Sequence, residues 1–83
     1  MKCVTVYTRD YEVFSDIYSK IMENLPAEDE EKEIDGITVS DSGELSEEYI
    51  TRMRNKQEVA ILKITNSDVI LVQHGEVFEI LIP

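Results

Sequence analysis

Residues 59–82 read VAILKITNSDVILVQHGEVFEILI, and this stretch decides the fold. Three runs rich in apolar and β-branched residues, Val59 to Thr65, Val69 to Gln73 and Val77 to Ile82, are separated by short polar breaks. Asn66-Ser67 and His74-Gly75 are two-residue turn candidates, so the stretch reads as an antiparallel three-stranded meander. The turns set a register. Ile64 falls opposite Val69 and Leu62 opposite Leu71; then Leu71 falls opposite Phe78 and Val69 opposite Ile80. One face then carries Ala60, Leu62, Ile64, Val69, Leu71, Phe78 and Ile80, all apolar, as a core face requires.

The other face is not cleanly polar. It carries Val59, Ile61, Ile70, Val72, Val77 and Leu81 beside Lys63, Thr65, Asp68 and Glu79. A sheet with one solvated face alternates more sharply than this. Ile61, Ile70, Val72, Val77 and Leu81 are therefore read as an association face, covered by a partner or a second copy; the competing reading is that the first two strands or the second helix fold across it within the monomer.

Working outward, residues 3–8 (CVTVYT) read as a strand and Asp10 as the cap of a helix. Over residues 11–25, Phe14, Ile17, Tyr18, Ile21 and Leu25 recur at helical spacing, and Pro26 ends the run. Residues 27–33 have no apolar periodicity and read as a solvated loop. Residues 34–40 (IDGITVS) read as a short strand that Gly36 weakens, and Asp41 to Gly43 as a turn. Ser46 is placed to cap a second helix running to about Lys56, with Leu45 and Ile50 as a hydrophobic staple. Arg52, Arg54 and Lys56 suit its negative end. The expected fold is a single acidic α+β domain over residues 1–83. Its order is β-α-β-α-β-β-β, with two helices on one face of a mixed sheet.

The 83 residues carry 8 Lys and Arg against 18 Asp and Glu, a net charge of −10. Residues 28–48 hold ten of the carboxylates, Glu28, Asp29, Glu30, Glu31, Glu33, Asp35, Asp41, Glu44, Glu47 and Glu48, against Lys32 alone. Such a segment repels phosphate, which disfavours binding to nucleic acid or to an anionic membrane. The apolar runs are too short to span a bilayer, and the N-terminal residues lack a signal-peptide core. One cysteine, Cys3, forms no intrachain disulfide. A cytoplasmic setting follows as the expectation.

No motif for chemistry stands out. Cys3 lies in an expected strand and His74 in an expected turn, so a catalytic pair needs the fold to unite them with an orienting group. Glu28 to Asp35 supply oxygen ligands but lack the EF-hand pattern, and read as a solvated charge run. Three glycines form no phosphate cradle. No catalytic residue, metal or cofactor is assigned.

The leading functional expectation is a non-enzymatic acidic module. Its ten-carboxylate segment would dock on a basic, nucleic-acid-binding surface of another protein. Phage-type anti-CRISPR and DNA-mimic inhibitors work this way as a class; the comparison is of mechanism, not of sequence. The alternative is an assembly module, a homodimer or accessory subunit joined through the second sheet face. A small enzyme comes third. A DNA or RNA anisotropy titration at low salt should show no saturable micromolar binding, because no basic stripe offsets the acidic segment.

Overall fold

The computed structural model describes residues 1–56, 59–63 and 68–83, with side chains described at all of these except Glu47, Ile61, Leu62 and Lys63. Alternation in the N-terminal segment builds strand β1 (Lys2–Val6), which sends Val4 and Val6 to one side and Cys3 and Thr5 to the other. All four are buried. The chain continues through α1 (Tyr11–Glu23), β2 (Glu31–Ile34), β3 (Ile37–Glu44), α2 (Glu47–Arg54), β4 (Val59–Lys63), β5 (Ile70–His74) and β6 (Val77–Ile82). The six strands form one sheet in the order β2-β3-β1-β6-β5-β4, and every neighbouring pair is antiparallel.

The α+β class and the C-terminal meander are as expected. The order gains one strand, and the sheet is antiparallel rather than mixed. Residues 31–33, read above as part of a loop, join Ile34 to form β2. The expected strand over 34–40 is instead a hairpin centred on Asp35-Gly36. Both turn residues have positive φ, 52° and 82°. That geometry is the one an Asp-Gly turn provides between twisted strands. The expected turn at Asp41 to Gly43 lies within β3, where the register against β1 shifts between Cys3 and Val4. Gly43 takes φ +91° there, and its N–H bonds to the Asp41 side chain. A bulge needs this freedom, and glycine supplies it.

In the meander, Leu62 pairs with Leu71 as expected. The Ile64–Val69 pairing and the Asn66-Ser67 turn lie outside the described residues. The second hairpin turns at Gly75-Glu76, not His74-Gly75. Leu71 therefore opposes Ile80 and Gln73 opposes Phe78. The offset is two residues, an even number, so each side chain keeps its expected face.

Asp10 caps α1 by accepting from the N–H groups of Glu12 and Val13 at 2.9 and 3.3 Å. The apolar stripe Phe14, Ile17 and Ile21 then packs on Val4, Val6, Val39, Val69, Leu71, Phe78 and Ile80. Phe14 stacks on Phe78 with ring centroids 4.4 Å apart. Burial of each large side chain contributes about 1.5–3 kcal/mol, which makes this layer the main core.

The second helix does not join that layer. Ile50 and Met53 of α2 pack on the opposite face against Cys3, Val72 and Leu81. The expectation that both helices share one face, and that the second face is an association surface, is corrected here. Val72 and Leu81 are 1% and 0% exposed, and Ile70 and Val77 are half-buried. The side chain of Ile61 lies outside the described residues. The reason is amphipathy: a short helix with two buried apolar residues covers the apolar part of a face that α1 cannot reach. Ser46 occupies the N-cap position without a side-chain cap bond. Leu45 and Ile50 both pack into this second cluster, as a staple requires. No described helix is long and apolar enough to cross a membrane.

Val72→Lys tests the assignment. A lysine forced beneath α2 would bury an unpaired charge, so urea denaturation should show a loss of about 3–5 kcal/mol. A folded, fully stable Val72→Lys protein would contradict it.

Candidate functional site

Two features outside the apolar layers gather chemistry. The first is the acidic hairpin. In β2, Lys32 and Ile34 lie opposite Val39 and Ile37, on the α1 side. Glu31 and Glu33 lie opposite Ser40 and Thr38 and so share the other face. Both are exposed, about 7 Å apart along a paired backbone. No described cation lies within ion-pairing distance of either. Preceding them, Glu28 and Asp29 join Asp41, Glu44, Lys2 and Gly43 around a depression of about 280 Å³.

Local bonding holds this shape. Asp41 accepts from the N–H of Gly43 at 3.0 Å and of Asp29 at 3.1 Å. These two bonds keep its carboxyl below the ordinary range, the Gly43 bond most strongly. Glu30 accepts from the Ala27 N–H at 3.0 Å and pairs with Lys32 at 3.4 Å. Its carboxyl is lowered as well, first by the Ala27 bond. Asp35 pairs with Lys20 of α1 at 2.6 Å, which anchors the hairpin turn to the helix.

The ten expected contact residues are thus divided. Glu28, Asp29, Asp41 and Glu44 gather around one depression, and Glu31 and Glu33 line the outer strand. Glu30 and Asp35 are held in local pairs. Glu48 is exposed in the first turn of α2, and the side chain of Glu47 lies outside the described residues. Among the described residues, no group of three or more His, Cys, Asp and Glu side chains is placed to hold a metal ion.

The second feature is centred on Glu79 of β6, which is 7% exposed. Its Oε2 accepts from the Tyr49 hydroxyl at 3.0 Å and from the Cys3 thiol at 3.6 Å. Its Oε1 bonds to Nε2 of His74. Beside it, Thr5 and Ser42 share a hydroxyl–hydroxyl bond. The fold thus brings Cys3 and His74 to one carboxylate, but in an order that does not activate the thiol. A nucleophilic cysteine needs a cation or base against its sulfur. Here the acid bonds the sulfur, and the histidine bonds the acid. Burial, and then the Glu79 charge, push the Cys3 thiol up to about 12. Burial first, and the Glu79 bond second, also raise the Tyr49 hydroxyl. The cluster joins β1, β5, β6 and α2 through a carboxylate satisfied on both oxygens.

The sequence places Glu79 among the few polar residues of the second sheet face, the one read above as an association face. Its position inside the apolar run Val77 to Ile82 was the available signal, since a carboxylate there is either exposed or fully bonded. No protein-family model matches the chain, and no curated protein or solved structure matches it.

Cys3 should react with a thiol-exchange reagent at neutral pH only as fast as the chain unfolds. Its folded value lies above the ordinary 9.0, so the neutral thiol stabilises the fold fully below about pH 9. That contribution is lost as pH rises from there toward 12. Urea midpoints should fall across this window, and Cys3→Ala should flatten the fall, with Tyr49 and Tyr18, both raised first by burial, supplying the remainder. Rapid native labelling would contradict the assignment.

Proposed function

We propose that this chain is a non-enzymatic acidic module that binds a basic, nucleic-acid-binding surface of another protein. On this reading it acts as an inhibitor or regulator. The supporting observation is the placement of eight carboxylates against one lysine in residues 27–44, five of them on a hairpin at the sheet edge and three in the turn that leads into it. A charge run in a flexible loop loses entropy when it docks. Carboxylates on paired strands are already arrayed, so that cost is smaller. Each exposed pair formed with a partner is worth only about 0.2–1 kcal/mol. Several presented together steer encounter and select basic surfaces, with strong salt sensitivity. DNA-mimic inhibitors of the phage type exploit the same physics. A cytoplasmic setting suits a chain with one free thiol.

The alternative of assembly through the second sheet face loses its support, because α2 covers Val72 and Leu81. The enzymatic reading loses its Cys–His candidate, because burial, and after it the Glu79 charge, disfavours the Cys3 thiolate, and His74 bonds Glu79 rather than the sulfur.

Glu28, Asp29, Glu31 and Glu33 are exposed and serve the test. Wild type and a variant with these four changed to Gln or Asn are used as bait in cell lysate at low and high salt. Captured proteins are then titrated as purified species. Wild type should hold nucleic-acid-binding proteins at low salt and release them to competing DNA. The variant should fold normally and lose at least about tenfold in affinity, roughly 1.4 kcal/mol. Equal capture by both would reduce the hairpin to a solubilising feature.

A further inference from the structure

The acidic end of the sheet is a strand whose carboxylate-bearing residues turn their backbone outward. The sheet order places β2 last, with β3 as its one ladder neighbour among the described residues. Antiparallel ladders alternate between pairs that exchange backbone hydrogen bonds and pairs that do not. In this hairpin the phase is fixed from both ends. The Asp35-Gly36 turn, with positive φ at both residues, closes on the bonded pair Ile34–Ile37. At the other end, the Asp41 N–H donates to the Glu30 carbonyl at 2.9 Å. The bonded positions within β2 are therefore Lys32 and Ile34, and Glu31 and Glu33 are the alternate ones. Thr38, opposite Glu33, agrees: its carbonyl accepts from the Tyr7 N–H at 3.0 Å, on the far side of β3. The N–H and C=O groups of Glu31 and Glu33 thus face away from β3. Among the described residues, no backbone bond outside the ladder takes them up.

The side chains decide what such an edge can take up. Glu31 and Glu33 are exposed on the sheet face away from α1, while Lys32 between them lies on the α1 side. A second copy of β2 added antiparallel would set Glu31 opposite Glu33, and like charges directly opposite each other are destabilising. A strand with arginine or lysine at alternate positions instead sets a cation opposite each glutamate. Its intervening residues fall on the Lys32 side, where a further cation is repelled. We infer that the β2 edge takes up an extended basic strand of a partner protein by antiparallel strand addition, with alternate cations paired to Glu31 and Glu33. This rests on the partner reading above and names the mode of engagement: backbone groups supply the ladder and the carboxylates select the strand. The same glutamates that blunt the edge against a second copy admit a basic one.

Capped synthetic peptides of about eight residues, within the usual range of strand lengths, are titrated into the full chain at low salt. All alternate arginine and threonine. One is unmodified, one carries backbone N-methyl groups on its arginine amides, and one carries them on its threonine amides. In the added strand the arginine amides face β2 and the threonine amides face solvent, so only the arginine modification removes ladder donors. The unmodified and threonine-methylated peptides should bind alike, and arginine methylation should cost at least about tenfold in affinity. The variant E31Q/E33Q, shown to be folded by circular dichroism, should bind the unmodified peptide roughly fivefold to tenfold more weakly, because two cross-strand charge pairs are lost. Amide exchange followed by NMR should slow at Glu31 and Glu33 when peptide is added, whereas Lys32 and Ile34 are protected beforehand. No binding of the unmodified peptide, full binding by E31Q/E33Q, equal binding of the two methylated peptides, or unchanged exchange at Glu31 and Glu33 would each overturn the inference. Equal binding of the methylated peptides would still leave the proposed function standing, because docking by charge alone needs no ladder.

Discussion

Strand β1 is the constraint on which the rest of the architecture depends. It lies between β3 and β6, and both of its faces are buried. Its two antiparallel ladders join the acidic hairpin to the C-terminal meander, and without them the sheet is two separate fragments. Val4 and Val6 give α1 a floor, while Cys3 contributes to the floor beneath α2. A strand buried on both faces tolerates few polar atoms, and the Thr5 hydroxyl and Cys3 thiol that remain are bonded. The Glu79 cluster is thus a consequence of placing β1 centrally: polar side chains on the inner strands must find one another.

Much of this was legible in the residues. Period-two alternation in the meander and the stripe of Phe14, Ile17 and Ile21 identified the main core, because local periodicity reports which side of an element is buried. The hairpin at Asp35-Gly36 was missed although Asp-Gly is a strong turn signal, since the run of charges before it masked a strand that carries only Ile34 as an apolar residue. The turn after β5 was placed one residue early, which changed partners but not faces. Which side α2 covers was not written in its own periodicity. An amphipathic helix with Ile50 and Met53 fits either face, and only the long-range position of β1 and β6 leaves the second face in need of cover. For the same reason Glu79 read as a surface residue.

The acidic character was fully visible as composition, but its geometry was not. Composition treats the ten carboxylates as one segment. The fold sorts them into those held by local N–H groups and lysines, such as Asp41, Glu30 and Asp35, and those left outward on β2. The first group shapes the surface; the second is available to a partner.

The pairing of β1 with β6 also governs how the chain is made. Lys2 finds its partner in Ile82, eighty residues later. At roughly 5–20 residues per second, several seconds of synthesis pass before the second ladder of β1 can form. Over that interval β1, α1, β2 and β3 can assemble as a partial sheet, with one edge of β1 unsatisfied and the aromatic ring of Phe14 lacking Phe78. Contacts so distant along the chain slow folding relative to a helical protein of equal length. The acidic hairpin is complete well before that edge is closed, so the partial sheet carries dense negative charge while one edge of β1 is open, and like charge opposes the approach of a second copy.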